Sequence, residues 1–373
     1  MTDRPSADAR PLQRARLTID VAAIVANWQA LREMAAPALT AAVVKADAYG
    51  LGVAEIAPAL RAAGCATFFV ARVEEGVGLR RLVGDARIFV LDGIAAGGAE
   101  ECAAFDLVPV LNHPGDLAHW AECGVRLGRV LPAALHVDTG LIRLGFTAAD
   151  ALALGPADLA GIDLRLVMSH LACADEIGHP FNALQLERFR VIRQHLGGVP
   201  GSLAASSAMF LGDAYRQDLC RPGIALYGGS PLAPDRPNPM RPVVTLEAPV
   251  LQVYQVDAPG TVGYGATYPI WPGMRIATLA VGYADGFPRA ASGRATVRIG
   301  GQEVPVAGRV SMDLMSIDVS SLPPDAVTPG TRVELIGALS GVDPLATAGG
   351  TIAYEILTRL GRRFERHYLK ATT

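Results

Sequence analysis

Apolar residues in the first two thirds of the chain come in short continuous runs, and polar stretches with helical spacing separate them. The runs are Ala41–Lys45, Thr67–Ala71, Arg87–Leu91, Leu107–Leu111, Ala134–Val137, Leu164–Ser169, Ser202–Ala204 and Leu219–Gly223. Short runs without alternation suit strands buried on both faces of a parallel sheet. Eight such strands alternating with helices predict an α/β fold, a (β/α)8 TIM-type barrel. Ahead of them, Arg16–Asp20 reads as a short strand and Val21–Ala35 as a helix with Asp20 as its N-cap.

Near Gly228–Arg241 the pattern changes. Proline and glycine density there marks a linker. Beyond it come short alternating runs at Val244–Val256, Met274–Val281, Ala295–Ile299, Gln302–Val306, Ser316–Val319 and Arg332–Ile336, separated by turns such as Gly300-Gly301 and Pro329-Gly330. Alternation predicts half-buried strands and a mostly β C-terminal domain. Thr351–Leu360 has helical spacing, and its basic tail (Arg359, Arg362, Arg363, Arg366) reads as a solvated face. The expected division is a polar leader over 1–16, a barrel over 17–240 and a mostly β domain over 241–373.

The first barrel run ends on a charge. Ala41-Ala42-Val43-Val44-Lys45-Ala46-Asp47-Ala48-Tyr49-Gly50-Leu51-Gly52 is an apolar run, one lysine, and a glycine-punctuated turn. The carboxyl ends of parallel strands are where such folds place their chemistry. Desolvation there disfavours the ammonium form of Lys45, and a partly neutral amine can form a Schiff base with an aldehyde cofactor. Tyr49 can bring a phenol to the same mouth.

Composition narrows the setting. The chain of 373 residues is 51% hydrophobic, enough for a large core, and its formal charge is −3 with the 33 basic residues spread along it. No electrostatic footprint for nucleic acid or an anionic membrane follows. The five cysteines (Cys65, Cys102, Cys123, Cys173, Cys220) include no Cys-x-x-Cys pair, which argues against a disulfide framework or zinc knuckle and for a reducing compartment. Residues 1–16 contain no apolar signal core, and no run has the length of a bilayer span. The expectation is a cytoplasmic enzyme.

Further strings carry candidate chemistry. In Ala134-Leu135-His136-Val137-Asp138-Thr139-Gly140-Leu141-Ile142-Arg143-Leu144-Gly145, the single Asp-Thr-Gly lacks the second carboxylate of an aspartic protease. Asp138 instead stiffens a loop, and Arg143 can take a carboxylate bidentately. Ser169-His170 with Asp175, Glu176 and His179 fits no metal-ligand spacing well, so no metal is expected. Arg221-Pro222-Gly223-Ile224 follows the eighth strand, where barrels bind phosphate, and backbone N–H groups of Gly223 and Ile224 with a Ser206 hydroxyl can cradle a dianion. In the β region, Gly263-Tyr264-Gly265-Ala266-Thr267-Tyr268 sets a tyrosine in a glycine turn where a backbone can approach a ligand.

The string Val44-Lys45-Ala46-Asp47-Ala48-Tyr49-Gly50 resembles the pyridoxal 5'-phosphate (PLP) signature of the alanine racemases, a fold type III family of barrel-type PLP enzymes. The resemblance continues in order along the chain. It implies Lys45 and Tyr264 as the two catalytic bases, Lys45 serving the D-enantiomer's proton and Tyr264 the L-enantiomer's. It implies Arg143 on the substrate carboxylate, His170 behind the cofactor ring and linked to Arg221, and Arg221 on the pyridine nitrogen. Ser206, by its spacing to Arg221, would hold the phosphate, with Ser207 as fallback, and Tyr354 of Ala353-Tyr354-Glu355 would touch it. Met312 of Gly308-Arg309-Val310-Ser311-Met312-Asp313 would meet the substrate, and Tyr283 of Gly282-Tyr283-Ala284-Asp285 would line the access channel. The family's second base comes from the neighbouring subunit, so a head-to-tail homodimer is implied, acting on a small-molecule amino acid in D-alanine biosynthesis for cell-wall precursors, or in its catabolism. A guanidinium can only donate to the ring nitrogen, which restricts carbanion side reactions. Tyr264 as a base near neutrality needs a pKa well below about 10. Two positions depart from the pattern: His136 stands where many members carry a carbamylated lysine that holds the arginine, and Leu51 replaces a frequent histidine. Open alternatives are a related racemase for serine or basic amino acids, a decarboxylase of the same architecture, and a non-catalytic PLP-binding protein.

Overall fold

The structure is a computed structural model that describes residues 14–94 and 97–370, so most of the expected leader lies outside the described residues. The chain forms two compact units, Val21–Arg241 and a second that joins Pro242 onward to the residues before Val21. The sequence division starts the barrel at residue 17, but β1 (Arg16–Asp20) belongs to the second unit. Leu17 and Ile19 are buried while their neighbours are not, the alternation of a strand with one covered face.

The unit Val21–Arg241 is TIM-like. Its parallel sheet runs in chain order from β3 (Ala42–Val43) through β4 (Thr67–Val70), β5 (Arg87–Val90), β6 (Leu107–Leu111), β7 (Leu131–His136) and β8 (Ile162–Met168) to β9 (Gly201–Ser202). A second parallel pair joins β2 (Leu39–Thr40) to β10 (Leu219–Cys220). Hydrogen bonds extend both: Ala41 N donates to Cys220 O at 2.9 Å, Val43 N to Pro222 O at 3.0 Å and Arg221 N to Ala204 O at 2.8 Å. Every residue of β4 and β6 is buried, as a sheet covered on both faces requires. The expected first strand, Ala41–Lys45, is shorter than its apolar run, because the chain leaves the extended conformation before the lysine.

The second unit is mostly β. Its long strand β11 (Val244–Gln255) pairs with β18 (Arg332–Ile336) over one half and with β14 (Arg275–Leu279) over the other. Through β17 (Met315–Asp318), β16 (Gln302–Ala307) and β15 (Thr296–Ile299) the ladder returns to β18, so six strands form a ring. Strands β1 and β19 (Glu365–Leu369) extend it, and β12 (Gly260–Val262) with β13 (Tyr268–Ile270) forms a separate hairpin. The basic tail is more engaged than a solvated face: Arg363 reaches Asp285 at 3.1 Å and Asp313 at 2.7 Å, and Arg366 lies within β19. No helix of the described residues is long and apolar enough to cross a membrane.

Candidate functional site

Lys45 sits two residues beyond the end of β3, at the carboxyl end of the parallel sheet. The backbone after it is unusual. Ala46, Asp47, Ala48 and Tyr49 all have φ between +53° and +58°. Four consecutive L-residues in the left-handed region cost roughly 1–2 kcal/mol each, so the turn exists because its surroundings hold it. Glu75 accepts from Ala46 N at 2.8 Å and from Ala71 N at 2.7 Å, and Asp47 Oδ1 accepts from Val53 N at 2.8 Å. The turn faces Tyr49 inward, where its ring stacks on Tyr227 at 4.6 Å. Tyr227 Oη donates to Val43 O at 2.9 Å, tying the stack to the strand that presents the lysine. Burial and then the charge of Arg143 hold the Lys45 ammonium below its ordinary pKa, with Arg221 adding to them and Asp92 and Glu75 opposing.

Arg221 is a buried cation. Its guanidinium donates to Ser202 Oγ and, at 2.7 Å, to Ser169 O, and it lies over the Phe69 ring. Burial lowers its pKa to about 10, which still leaves it charged at neutral pH. His170 is pushed down to about 3 by desolvation and then by the charges of Arg221 and Arg143. The expected link between His170 and Arg221 is therefore electrostatic: among the described residues the guanidinium's hydrogen bonds go to the two serines instead. Ser206 Oγ accepts from Gly223 N at 2.9 Å and Ala225 N at 3.3 Å. Ile224, expected to share this cradle, begins a short 3-10 turn beside it. Gly223 meets the Tyr49 hydroxyl so closely that a Cβ would lie 2.1 Å from it. Ser207 starts the 3-10 turn Ser207–Leu211 and is only partly buried.

The loop of Arg143 leaves β7 and returns beside it. Asp138 stiffens it as expected, accepting from Gly140 N and Leu141 N at 2.9 Å and from Ile142 N at 3.0 Å. Val137 and Phe146 form a parallel bridge that closes the loop, and Arg143 is exposed between them. Behind it Thr139 Oγ1 bonds Ser169 Oγ at 2.9 Å, and Gln185 Nε2 reaches Thr139 Oγ1 at 3.2 Å and His170 O at 3.1 Å. These bonds join the Arg143 and His170 loops to the serine that carries Arg221.

The other expected residues lie on the β unit. Tyr264, in the loop of the β12–β13 hairpin, is 71% exposed. Tyr283 N donates to Ser311 O at 3.0 Å and Ala284 N to Met312 O at 2.9 Å, so the loops of Tyr283 and Met312 are stitched together. Both side chains are exposed, and so is Tyr354 at the start of the helix Ala353–Arg359.

An amine of reduced basicity, a buried guanidinium and a hydroxyl-and-amide pocket closed by a glycine fit an aldehyde, a ring nitrogen and a phosphate, the three functional ends of PLP. Sequence reasoning missed the partners around these groups: Glu75, Gln185, Ser202 and Tyr227.

Two outcomes follow. Replacing Ala46 by glycine should stabilise the protein by on the order of 1 kcal/mol, the reverse of the usual helix effect, since Ala46 is exposed at φ +53°; urea unfolding measures it. The depressed histidines set an acid limb. His136 is held at about 4 and His170 at about 3, so near pH 5 the unfolded chain binds protons that the native one does not. Stability should then fall as pH drops below about 6.5, by roughly 1 kcal/mol per pH unit for each histidine. His136→Gln should remove one such share of the slope in urea unfolding.

Comparison with known proteins agrees along the whole chain. Residues 19–231 match the family model for the alanine racemase N-terminal domain, and residues 243–368 that for the alanine racemase C-terminal domain. The chain is 50% identical to an alanine racemase of Rhodospirillum rubrum, covering 95% of this chain and 96% of that one. It is 49% identical to an alanine racemase of Methylobacterium nodulans, covering 96% and 97%. The crystal structure of alanine racemase from Bartonella henselae with covalently bound pyridoxal phosphate superposes with a TM-score of 0.91, at 38% identity over 95% of this chain and 99% of that one. The chain belongs to the alanine racemase family.

Proposed function

We propose that the protein is a PLP-dependent alanine racemase, an isomerase that interconverts L-alanine and D-alanine by a two-base mechanism. One observation carries the reading. In a single unit, an amine depressed by burial and by Arg143 stands with a buried guanidinium and the Ser206–Gly223 pocket. Lys45 would hold the cofactor covalently, Ser206, Gly223, Ile224 and Tyr354 its phosphate, and Tyr49, His170 and Arg221 its ring. Burial of Ser206 against Gly223 N favours it over Ser207. Bound PLP supplies an electron sink that acidifies the α-hydrogen of the amino acid it carries. Lys45 Nζ moves that proton on one face and Tyr264 Oη on the other, because a single base tends to return it to the side it left. Arg221 has no lone pair to accept a proton, so it acts on the ring nitrogen as a donor only. Arg143 binds the substrate carboxylate, and Met312 and Tyr283 border the approach.

The same reading closes β2 to β10 into an eight-stranded barrel, supported by the bonds of Ala41 and Val43 to the β10 segment. It keeps a barrel domain and a mostly β domain as the working division. It makes the enzyme a head-to-tail homodimer, for which the exposed Tyr264, Trp271, Tyr283 and Met312 on the β unit are the supporting surface. Five unpaired cysteines support a reducing, cytoplasmic setting.

L-Alanine incubated with the purified protein and PLP should lose its optical activity completely, and Lys45→Ala should abolish the loss. Borohydride should fix PLP to Lys45 and not to Lys370, the other of the chain's two lysines. An unchanged signal from PLP-loaded protein would reject alanine and bring serine and the basic amino acids forward. Tyr264→Phe should slow α-hydrogen exchange from L-alanine far more than from D-alanine; equal retention from both enantiomers would sink the two-base assignment.

A further inference from the structure

His136 ends β7 at the carboxyl side of the sheet and is buried. Its Nδ1 lies 2.9 Å from Asn112 Oδ1. The orientation of that amide is set by its other bonds, since Asn112 Nδ2 donates to Leu91 O at 3.1 Å and Val110 O at 2.9 Å. Turned over, the amide would aim an oxygen at two carbonyl oxygens. Asn112 N in turn donates to Asp116 Oδ2 at 2.9 Å, which fixes the residue as a whole. Asn112 therefore offers an acceptor, and Nδ1 of His136 carries the hydrogen. A neutral imidazole has one N–H, so Nε2 holds a lone pair. Among the described residues the His136 side chain has no other hydrogen bond, and Nε2 is not one of the sealed, unpartnered polar atoms.

The charged groups facing this ring are Arg221, Arg143 and Asp138; burial first, then the two arginines, hold it at about 4 against the opposing Asp138, neutral through the physiological range. The Arg143 loop hinges on the same residue. Phe146 N donates to His136 O at 2.8 Å where the loop returns, and Gly145 packs so near the ring that a Cβ would lie 3.1 Å from Cγ. Position 145 also has φ +114°, so it admits glycine on both counts.

We infer that His136 is a positioning residue for the substrate carboxylate: the tautomer fixed by Asn112 offers Nε2 to the guanidinium of Arg143 and holds it on the site. A neutral acceptor does this without cancelling the arginine's charge. That charge is then free both to bind a carboxylate and to depress Lys45, on which it already acts. The identity of the carboxylate rests on the racemase reading; the tautomer rests on Asn112 alone.

Two measurements separate these parts. Nitrogen NMR of PLP-loaded protein carrying isotope-labelled histidine, assigned with His136→Gln, should find Nδ1 protonated and Nε2 bare between about pH 5.5 and 8. A protonated Nε2 overturns the inference whether or not alanine is the substrate. In alanine kinetics, His136→Phe should raise KM by about tenfold with kcat changed far less, and His136→Gln, whose side-chain oxygen can replace Nε2, should recover most of it. Asn112→Asp, which favours a doubly protonated ring facing Arg143, should raise KM most at low pH and carries the test if the phenylalanine variant does not fold. An unchanged KM in these variants, beside a raised KM in Arg143→Ala, overturns the inference, as does a chloride or bicarbonate requirement for the wild-type KM.

Discussion

A charge without a counter-charge sits at the centre of this molecule. Among the described residues Arg221 pairs with no carboxylate; a serine hydroxyl, a backbone carbonyl and the face of Phe69 surround it. Burying a guanidinium this way is costly unless its donors are satisfied, and the β8–β9–β10 end of the sheet is arranged to satisfy them. Ser202 ends β9 and Ser169 directly follows β8, and Ser169 is held by Thr139, which Gln185 holds in turn. The field of that cation then reaches the neighbouring titratable groups. His170, His136 and Lys45 are all depressed by burial first and by positive charge after it. Basicity in the site is thus a property of the sheet end as a whole.

The second constraint is geometric. A lysine at a strand end ordinarily continues into a right-handed turn or a loop, yet here four left-handed residues follow it. The strain aims Tyr49 at Gly223 and leaves Lys45 at the rim. Glu75 on one side and Asp47 on the other hold the turn through backbone N–H groups. The two alanines in the signature string thus have a plain physical meaning: a larger or β-branched side chain at positive φ would add to a penalty already taken several times over.

Much of the architecture was legible because burial leaves a pattern. The run Leu107–Leu111 is apolar throughout and is a strand with those limits. Gly300-Gly301 sits between β15 and β16, with both glycines at positive φ as a tight hairpin needs. What was not legible depends on contacts distant in sequence. Nothing around Arg16–Asp20 announces that β11 and β19 flank it, because a five-residue strand carries no address. The candidate site divides in the same way. Lys45, His170 and Arg221 showed themselves as polar residues at or near the ends of apolar runs, and Arg143 in the loop string that follows one. Asn112, Gln185 and Glu75 did not, since each is an ordinary polar residue until the fold sets it against a particular imidazole, hydroxyl or amide.

The distribution of basic residues ties these strands of the argument together. An aldehyde condenses with any accessible neutral amine, so a protein that must direct it to one place gains from having few others. Of the 33 basic residues only Lys45 and Lys370 are lysines, and Lys45 is the only one between Val21 and Arg241. Arginine supplies the remaining positive charge, remains protonated and does not compete as a nucleophile. The charges proposed for carboxylate and ring, Arg143 and Arg221, are therefore inert toward the aldehyde, while those same charges lower the one lysine of this unit. Selectivity and activation then come from a single choice, arginine everywhere in the site except where a covalent bond is to form.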